Sequence, residues 1–428
     1  MKLNLTDTLY ALSFALDTVQ YEMGGISNEH GKHVAFISYF IGKYLNYDND
    51  KLNDLVGLAI LHDNAFTEYV REEYNNGELV DYDELLENES NVTKLRNGFL
   101  TLPRHNVVGE ENIRLIPFRT NVNDVILCHH ENADGTGPLK KHDYETNEMA
   151  QIIHIADMMD VLFDLKKLTK EELYVAYKKI KNLEGKLFSP KMVDALINSF
   201  TYKELKALQD EGVIPYLKKN LESNIYDYTD DQIKNLCLFF AKIIDYKSSI
   251  TKNHSLGVAE KCYKMAKYYN FDDDKAIRFY FAGAFHDIGK LIINNDVLEK
   301  PGKLTSKEFE YIKNHANATE KILSQIDGIE DITRWASRHH EKLDGSGYNK
   351  SINANELSFE DRLLACIDIY QALTEKRSYK DEFAHQNSIE IMYEMAYNNK
   401  IDINIVKDIE KYFNEEKRLW NTLKSYFW

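Results

Sequence analysis

The sequence predicts an all-α protein, and two observations lead to that fold class. Apolar residues recur at intervals of three and four, the period of an amphipathic helix, as in Ile277, Phe281, Ala284, Phe285 and Ile288. Only six prolines interrupt the 428 residues, and no regular alternation of apolar and polar residues indicates strands. We therefore expect helices throughout, arranged by a repeat that divides the chain in two.

The repeat is a set of seven metal-capable residues that occurs twice in the same order. The interval from the first His to a His-Asp pair is identical in the two halves, and so is the interval from a later single His to a His-His pair. The final interval, from the His-His pair to the last Asp, differs by a single position. The first set is His30, His62, Asp63, His105, His129, His130 and Asp157, and the second is His254, His286, Asp287, His315, His339, His340 and Asp368. Chance spacing does not produce this match, so the chain is a tandem duplication built round two metal sites.

The duplication predicts two domains, residues 1–201 and residues 227–428, each long enough to bury its own core. Residues 202–226 are rich in Lys, Glu and Asp and poor in Gly and Ser, which favours a helical connector over a flexible linker. Both halves open on a Thr-Asp pair, at Thr6 and at Thr229, which is typical of a helix N-cap.

Charge and composition limit the class of partner. A formal net charge of -16 argues against binding to polymeric nucleic acid or to an anionic membrane surface. It does not exclude a small anionic ligand, because metal ions and a few cations can dominate the field inside one cleft. No run approaches the ~20 apolar residues of a membrane span, and the start lacks a signal peptide's apolar core. Four scattered cysteines suit a reducing compartment. We expect a cytoplasmic protein, compatible with a homodimer.

The ligand types indicate the chemistry. A carboxylate can bridge two metals with one oxygen on each, while imidazoles complete the coordination and leave positions for water. That arrangement suits two-metal hydrolysis of a phosphate ester, with the ions roughly 3.5–4 Å apart. Mixed His and carboxylate ligands favour Fe, Mn or Zn over Mg or Ca. We expect two divalent ions per site, with Fe or Mn preferred and Zn as the alternative.

Two further residues of the second half are candidates for substrate contacts. Lys290 follows Asp287 by three positions, about one turn along the same predicted helix face, so its ammonium can reach a phosphate oxygen at the metals. Tyr348 follows the glycine-rich turn that begins after His340, which places it beside the same site. Glu341 is either a partner that orients a ligand imidazole or a solvated residue.

Residues 229–413 resemble the HD-GYP family, bacterial phosphodiesterases of the HD superfamily that hydrolyse cyclic dinucleotides. The matching elements are HDIGK at 286–290, the single His315, HHExxDGxGY at 339–348, CIDIYQAL at 366–373 and RSYK at 377–380. The resemblance implies an HD-type helical bundle in which the second set ligates the metals. It also implies catalytic roles for Asp287, as the bridging ligand, and for Lys290. Substrate contacts would come from Lys290, Tyr348, Arg377 and Lys380. The implied substrate is cyclic di-GMP, opened to linear pGpG and in some members cut to GMP.

Three positions depart from the family pattern. Asn349 replaces a proline after the tyrosine, which would change the stiffness of that loop. Gln371 replaces the second Asp of the usual DxxDAL motif and would affect support of the site rather than its chemistry. Some members hold a third metal through a Glu four positions before the first His, and this position is Ile250. Two metals are therefore expected.

The first half resembles the same family from Thr6 to Phe200 but lacks the groups that handle substrate. Phe66 stands at the position of Lys290, Pro138 follows Gly137 where the tyrosine would be, and Lys166 corresponds to Arg377. The half keeps its seven ligands and both aspartates of the later motif, Asp157 and Asp160. It is expected to be a second HD-type bundle with a metal-loaded site that senses, supports the structure or acts on something else. His33, His142 and His154 are expected in core or surface roles.

These observations lead to one main function and two alternatives. The main hypothesis is a metal-dependent cyclic-dinucleotide phosphodiesterase, with the second half catalytic and the first regulatory or scaffolding. The first alternative is the same chemistry on another cyclic dinucleotide such as cyclic GMP-AMP. The second is a non-enzymatic diiron sensor of redox state or of a ligand. An intact Lys290, Tyr348 and Arg377 favour catalysis, because a sensor has no need of them.

Overall fold

The computed structural model describes residues 1–24, 29–65, 103–222, 225–247, 254–298, 300, 302–375 and 385–427. Within them the regular secondary structure is helical except for two three-residue strands, β1 (Lys2–Asn4) and β2 (Ile225–Asp227), which pair as one small sheet. The all-α prediction is confirmed. The chain divides into two compact units, a first unit of Asn4–Tyr226 and a second unit of Met1–Leu3 with Asp227–Trp428.

The first unit is built round its second helix. Its helices are α1 (Leu5–Gly24), α2 (His30–Tyr44), α3 (Asn49–Ile60), α4 (Pro103–Ile113), α5 (Glu148–Leu162), α6 (Lys170–Lys181), α7 (Pro190–Ser199), α8 (Tyr202–Glu211) and α9 (Val213–Asn220), with a short 3-10 helix at Asp143–Glu145. Helix α2 packs against α3, α5 and α7, and its Val34, Phe36 and Ile37 are fully buried. Because His30 begins α2, this packing places the first predicted ligand in the centre of the unit.

Residues 202–226, expected as a connector, belong to the first unit. They form α8 and α9, whose Leu205 and Leu217 are completely buried. The ring of Tyr216 meets that of Phe36 edge-on at a centroid distance of 5.1 Å. The segment is therefore helical, as expected, but it is part of the first unit rather than a connector. Its Lys and Glu residues are the outer faces of two amphipathic helices, since a surface helix needs only one apolar stripe.

The second unit has the same kind of architecture. Its helices are α10 (Asp230–Lys247), α11 (His254–Tyr268), α12 (Asp273–Phe285), α13 (Asn295–Leu298), α14 (Ser306–Leu323), α15 (Glu330–Ser337), α16 (Phe359–Thr374), α17 (His385–Tyr397) and α18 (Ile403–Phe427), with a 3-10 helix at Ile288–Ile292. Helix α11 packs on α12 and α16, and α14 packs on the 3-10 helix and α15. These contacts bring the ends of α11, α12 and α15 together beside α14 and α16.

The two Thr-Asp pairs have different positions. Thr229 precedes α10, and its hydroxyl accepts a hydrogen bond from the amide of Gln232 at 3.3 Å, as expected of an N-cap. The expectation for Thr6 is wrong, because α1 already begins at Leu5. The Thr6 hydroxyl instead donates to the side chain of Asn53 at 2.7 Å, so a helix-to-helix contact takes the place of capping.

Two findings bear on the environment of the chain. In the described ranges, no helix has both the length and the apolar character needed to cross a membrane. Cys128, Cys237, Cys262 and Cys366 are all buried, and none is in a disulfide. The cysteines therefore serve as packing residues, as their scattered spacing suggests.

Candidate metal centres

The second set of predicted ligands lies at the ends and inner faces of five helices. His254 is the first residue of α11, and His286 is the residue that follows α12. Asp287 then precedes the 3-10 helix, so the expectation that the His-Asp pair lies on a helix is wrong. His339 and His340 follow α15, while His315 and Asp368 lie within α14 and α16. Helix ends suit this task, because a turn can aim adjacent side chains in different directions.

Asp287 is shared between two groups of ligand atoms. Its Oδ1 lies 3.5 Å from His315 Nε2 and 3.7 Å from His339 Nε2. Its Oδ2 lies 3.2 Å from His286 Nε2. The ligand atoms of each group are within 4.8 Å of one another, the first group being Asp287, His315, His339 and His340 and the second being His254, His286 and Asp287. One carboxylate oxygen therefore faces each group, which is the arrangement of a bridging ligand.

Asp368 closes the second group. Its Oδ1 lies 3.0 Å from His254 Nε2 and 3.6 Å from His286 Nε2. All seven residues of the set are buried except His340, which is half-buried. The set is thus a single cluster that the packing of α11, α12 and α16 completes.

The first unit repeats this geometry. Asp63 Oδ1 lies 3.8 Å from both His105 Nε2 and His129 Nε2, and its Oδ2 lies 3.5 Å from His62 Nε2 and 4.0 Å from His30 Nε2. The two groups are Asp63, His105, His129 and His130, and His30, His62 and Asp63. Asp157 Oδ1 lies 3.2 Å from His30 Nε2 and 3.9 Å from His62 Nε2. The structure therefore brings together the residues of both predicted sets.

Backbone carbonyls orient the imidazoles. In the second unit Nδ1 donates to the carbonyl three positions earlier, at 2.8 Å for His286, 2.7 Å for His315 and 2.6 Å for His339. In the first unit the same bond is 2.8 Å for His62 and 2.6 Å for His129. Because a carbonyl can only accept, Nδ1 carries a proton, and Nε2 is the nitrogen that faces the cluster.

Burial and neighbouring charges set the protonation of the second cluster. Burial lowers the pKa of His339 to about 3 and also lowers the pKa of His315. Burial would raise the pKa of Asp287, but the charges of His286 and Lys290 outweigh it and hold that pKa well below its usual range. The cluster therefore combines an ionised Asp287 with neutral His315 and His339, the protonation states in which carboxylate and imidazole are metal ligands.

The cluster fits a pair of divalent ions. Asp287 Oδ1 and His286 Nε2 are buried and have no hydrogen-bond partner in the described part of the chain. A polar atom left in that state costs about 1–3 kcal/mol unless it is bound. Imidazole and carboxylate donors in this mixture suit Fe, Mn or Zn. In the first unit, His62 Nε2 and His129 Nε2 are likewise buried without a hydrogen-bond partner among the described residues. Both clusters therefore fit a pair of divalent ions.

A close approach of backbones positions the His-Asp turn in each unit. In the second unit a Cβ on Gly289 would lie 1.9 Å from the carbonyl oxygen of His315, and the Gly289 amide donates to Thr319 Oγ1 at 3.0 Å. In the first unit the glycine is on the helix instead: Gly109 faces Ala65, with 3.9 Å between a Cβ on the glycine and the alanine Cβ. Each unit therefore uses one glycine to bring the turn onto the helix that carries the single His.

Lys290 and Tyr348 lie at the edge of the second cluster. Lys290 Nζ donates to Asp287 Oδ2 at 2.6 Å, and 23% of its side chain is exposed. It reaches Asp287 because both belong to a 3-10 turn, in which residues three apart are eclipsed, rather than to an α-helix face. The ring of Tyr348 lies 4.6 Å from that of His340 and 6.2 Å from that of His315. The predicted contacts Arg377 and Lys380 lie outside the described residues.

Glu341 has a role that neither sequence interpretation included. It is 2% exposed, and its carboxylate accepts from the amides of Lys350 at 2.7 Å and Ile352 at 3.2 Å. A Cβ on Gly347 would lie 2.5 Å from Glu341 Cα, so the loop passes tightly over this residue. Glu341 thus holds the loop that carries Tyr348, rather than orienting an imidazole or facing solvent.

The Tyr348 loop also contacts α14. Asn349 donates to the side chain of Asn317 at 2.7 Å, and Lys350 donates to Glu320 at 2.5 Å. The Lys313 ammonium lies 5.6 Å from the centre of the Tyr348 ring. Asn349, which replaces the family's proline, therefore ties the loop to the helix that carries His315.

The corresponding side chains of the first unit have different contacts. Lys166, at the position that corresponds to Arg377, forms an ion pair with Glu29, the residue before His30. The loop is held as in the second unit, since Glu131 accepts from the amides of Leu139 at 2.6 Å and Lys141 at 2.7 Å, but it presents no tyrosine. Phe66 lies outside the described residues.

Two of the unmatched histidines have structural partners that the sequence did not reveal. His33 Nδ1 lies 2.6 Å from Asp160 Oδ1, and the other oxygen of this carboxylate lies 2.7 Å from His30 Nδ1. His154 Nδ1 donates to the carbonyl of Glu131 at 2.8 Å. In the second unit His254 Nδ1 lies 2.9 Å from Glu375 Oε2. Asp160 lies one helical turn after Asp157, and Glu375 lies two turns after Asp368. These two carboxylates are the sequence feature that could have indicated the contacts to His30 and His254.

Comparisons with known proteins agree with this geometry. Residues 239–405 match the HD domain family. The chain is 26% identical to the 3'3'-cGAMP-specific phosphodiesterase 1 of Vibrio cholerae, over 96% of this chain and 93% of the relative. It is also 26% identical to the cyclic di-GMP phosphodiesterase of Thermotoga maritima, over 69% of this chain and 81% of that protein.

A solved structure shares the fold. The crystal structure of a cyclic GMP-AMP-specific phosphodiesterase of Vibrio cholerae is similar with a TM-score of 0.62 at 23% identity, covering 97% of this chain and 98% of that one. The HD domain match, the sequence relatives and the His-Asp clusters lead to one assignment. Residues 239–405 belong to the HD domain family, and together with the relatives and the clusters this match supports a phosphohydrolase of the HD-GYP type.

Proposed function

We propose that the second unit hydrolyses a phosphodiester bond of a cyclic dinucleotide. The observation that carries this proposal is Asp287, whose two oxygens face separate histidine groups beside Lys290 and Tyr348. The proposed metal ligands are His254, His286, Asp287, His315, His339, His340 and Asp368. When bound by these residues, a pair of divalent ions, Fe or Mn by preference, would supply charge stabilisation at the phosphate and would activate a water for attack.

The side chains at the edge of the cluster hold the substrate. Lys290 has the reach and exposure to contact a non-bridging phosphate oxygen, since its Nζ already lies 2.6 Å from Asp287 Oδ2. An ammonium at that position stabilises charge that develops on phosphorus oxygens during attack. Tyr348 is held over His340 by the Glu341 loop and forms the adjoining wall. Arg377 and Lys380 remain proposed contacts on sequence grounds.

Cyclic di-GMP, opened to pGpG and then to GMP, is one candidate substrate. A cyclic GMP-AMP is the second, and it is favoured by the near full-length similarity to a 3'3'-cGAMP-specific enzyme. The Asn349 to Asn317 contact gives the substrate-side loop an anchor that a proline would not provide. Turnover of both dinucleotides by the Mn and Fe forms, with products resolved by chromatography, distinguishes the candidates by their kcat/KM ratio.

The catalytic assignment is tested with a matched pair of variants in the full chain. Asp287→Ala removes the shared carboxylate and should abolish hydrolysis, because both histidine groups lose a ligand. Asp63→Ala removes the equivalent carboxylate of the first unit and should leave most of the activity. Equal loss in the two variants would refute the assignment of catalysis to the second unit.

For the first unit we propose a metal site without this hydrolytic activity. Its seven residues have the same geometry, with Asp63 between two groups, so metal binding should persist. Its would-be phosphate contact Lys166 is paired with Glu29, and a carboxylate beside His30 repels a phosphate. Metal analysis of the Asp287→Ala protein should find about half of the wild-type metal. Complete loss would place all bound metal in the second unit.

A further inference from the structure

The imidazole of His254 has a carboxylate partner that the family motif does not contain. Its Nε2 faces Asp368, and its Nδ1 lies 2.9 Å from Glu375 Oε2, with 11% of the glutamate side chain exposed. We propose that Glu375 positions His254 for metal binding, in the place of the motif's second aspartate, which is Gln371 here. This inference rests on the proposed metal site of the second unit.

The first unit shows how the family's own residue works. There Asp160, three positions after Asp157, lies 2.7 Å from His30 Nδ1. His30 begins α2 as His254 begins α11, and Asp157 and Asp368 are the last ligands of their sets. The same nitrogen of the same ligand therefore meets a carboxylate in both units. In one unit the carboxylate comes from the position three after the last ligand, and in the other from the position seven after it.

Helix geometry explains why the two positions are equivalent. Residues three and seven apart lie on one face of an α-helix, so Gln371 and Glu375 both follow Asp368 along the side that faces α11. Glu375 is the C-cap residue that follows α16, and its amide still donates to the Gln371 carbonyl at 3.0 Å. The longer glutamate side chain reaches back one turn to His254.

Gln371 has a different partner. Its Oε1 accepts from the Lys261 ammonium at 2.5 Å, and its amide group fills the space above Gly257. A Cβ on Gly257 would lie 2.3 Å from Gln371 Nε2. In the first unit the residue three after His30 is His33, which shares Asp160. The change from Asp to Gln thus accompanies a glycine opposite it and a carboxylate one turn further on.

The first unit also supplies a matched control. Asp164 occupies the position seven after Asp157, as Glu375 does after Asp368. Its side chain is 53% exposed and pairs with Lys167 rather than with His30. A carboxylate seven positions after the last ligand therefore does not always contact the first histidine of its set. It does so in the second unit, where the nearer position carries no carboxylate.

A carboxylate on Nδ1 fixes the ring orientation and makes Nε2 a better ligand, and its removal typically weakens metal binding by about 10- to 100-fold. The test measures Mn affinity of the full-length protein by competition with a chelating dye, in an Asp63→Ala background that silences the first site. Glu375→Ala should weaken binding of the ion held by His254 by about 10- to 100-fold, and Glu375→Gln by less, because an amide oxygen still accepts from Nδ1.

Rescue separates positioning from general damage. Adding Gln371→Asp to Glu375→Ala restores the carboxylate at the position the first unit uses, and affinity should recover most of the lost factor. Asp164→Ala, made in the otherwise wild-type chain, should leave Mn affinity at both sites unchanged. Thermal unfolding of each metal-free variant reports whether it is folded.

The outcomes separate this inference from the proposed function. Wild-type Mn affinity in folded Glu375→Ala, or absence of rescue by Gln371→Asp, overturns the positioning role and leaves the phosphodiesterase proposal standing. Loss and rescue of affinity in a protein that hydrolyses neither cyclic dinucleotide supports the positioning role and rejects the proposed activity.

Discussion

Gly289→Ala is expected to damage the second unit by displacing the helix that carries His315. The new Cβ would lie 1.9 Å from the His315 carbonyl oxygen and 2.6 Å from the Thr319 amide nitrogen, far inside the 3.4 Å at which ordinary contacts begin. Both atoms are backbone atoms of α14, so no side-chain rotation relieves the overlap. Overpacking of this kind costs about 1–3 kcal/mol. For a unit of this size the loss corresponds to a fall in Tm of roughly 2–12 °C.

The same displacement should reach the metal ligands. His315 Nε2 lies 3.5 Å from Asp287 Oδ1, and a shift of α14 away from the turn lengthens that distance. The displacement of α14 is therefore tested by two measurements. Calorimetry of the metal-free protein gives the change in Tm, and titration with Mn gives the change in metal affinity. Gly109→Ala is the control in the first unit, because its nearest contact is the Ile126 side chain at 3.0 Å, which can move. A Gly289→Ala protein with wild-type Tm and Mn affinity would refute this reasoning.

Three further results are expected. Burial lowers the pKa of His286, but Asp287 and Asp368 outweigh it and raise the pKa to about 10 in the metal-free protein. The proton on His286 therefore stabilises the metal-free fold fully at pH values below 6.5, the pKa of the unfolded state. This stabilisation is lost as the pH rises through about 10, so Tm should fall between these two pH values. Metal must displace this proton, so chelator competition should show affinity rising by up to about tenfold per pH unit between pH 7 and 9, and a flat profile would contradict this. Glu341→Ala should raise KM through loss of the Tyr348 loop with bound metal retained, whereas Glu131→Ala should leave steady-state kinetics unchanged. Lys290→Met should lower kcat/KM by about 100-fold or more at unchanged metal content, and a merely structural lysine would not do so.

Much of the candidate site could be predicted from the sequence, because the same pattern of residues occurs twice and each copy supports the interpretation of the other. The spacing of His30 and His62 equals that of His254 and His286, and such matching intervals predicted which histidines belong together. Those residues do lie together in each unit. Their roles as ligands remain predictions that metal analysis must test. Helical periodicity likewise predicted the fold class, since apolar spacing depends only on which residues share a helix face.

The contacts of residues between helices could not be predicted from the sequence. Glu341 was weighed as an imidazole partner or a solvated residue, but it binds the backbone of a loop nine to eleven positions later. The His-Asp pair is predicted on a helix, yet the helix ends at Phe285, and the turn that follows brings Gly289 against the His315 carbonyl. Both outcomes depend on how separate segments pack, which spacing along one segment does not specify.

The sequence by itself determined an all-α chain, two ligand sets in the same order, and a first half without the substrate-handling residues of the second. Only the tertiary structure decided that the two oxygens of Asp287 face different histidine groups, that Glu375 rather than residue 371 meets His254, and that Lys166 is paired with Glu29. The physical reason is that the two kinds of feature depend on interactions over different distances along the chain. Local spacing fixes which side chains share a face, whereas partners across helices depend on the packing of the whole unit.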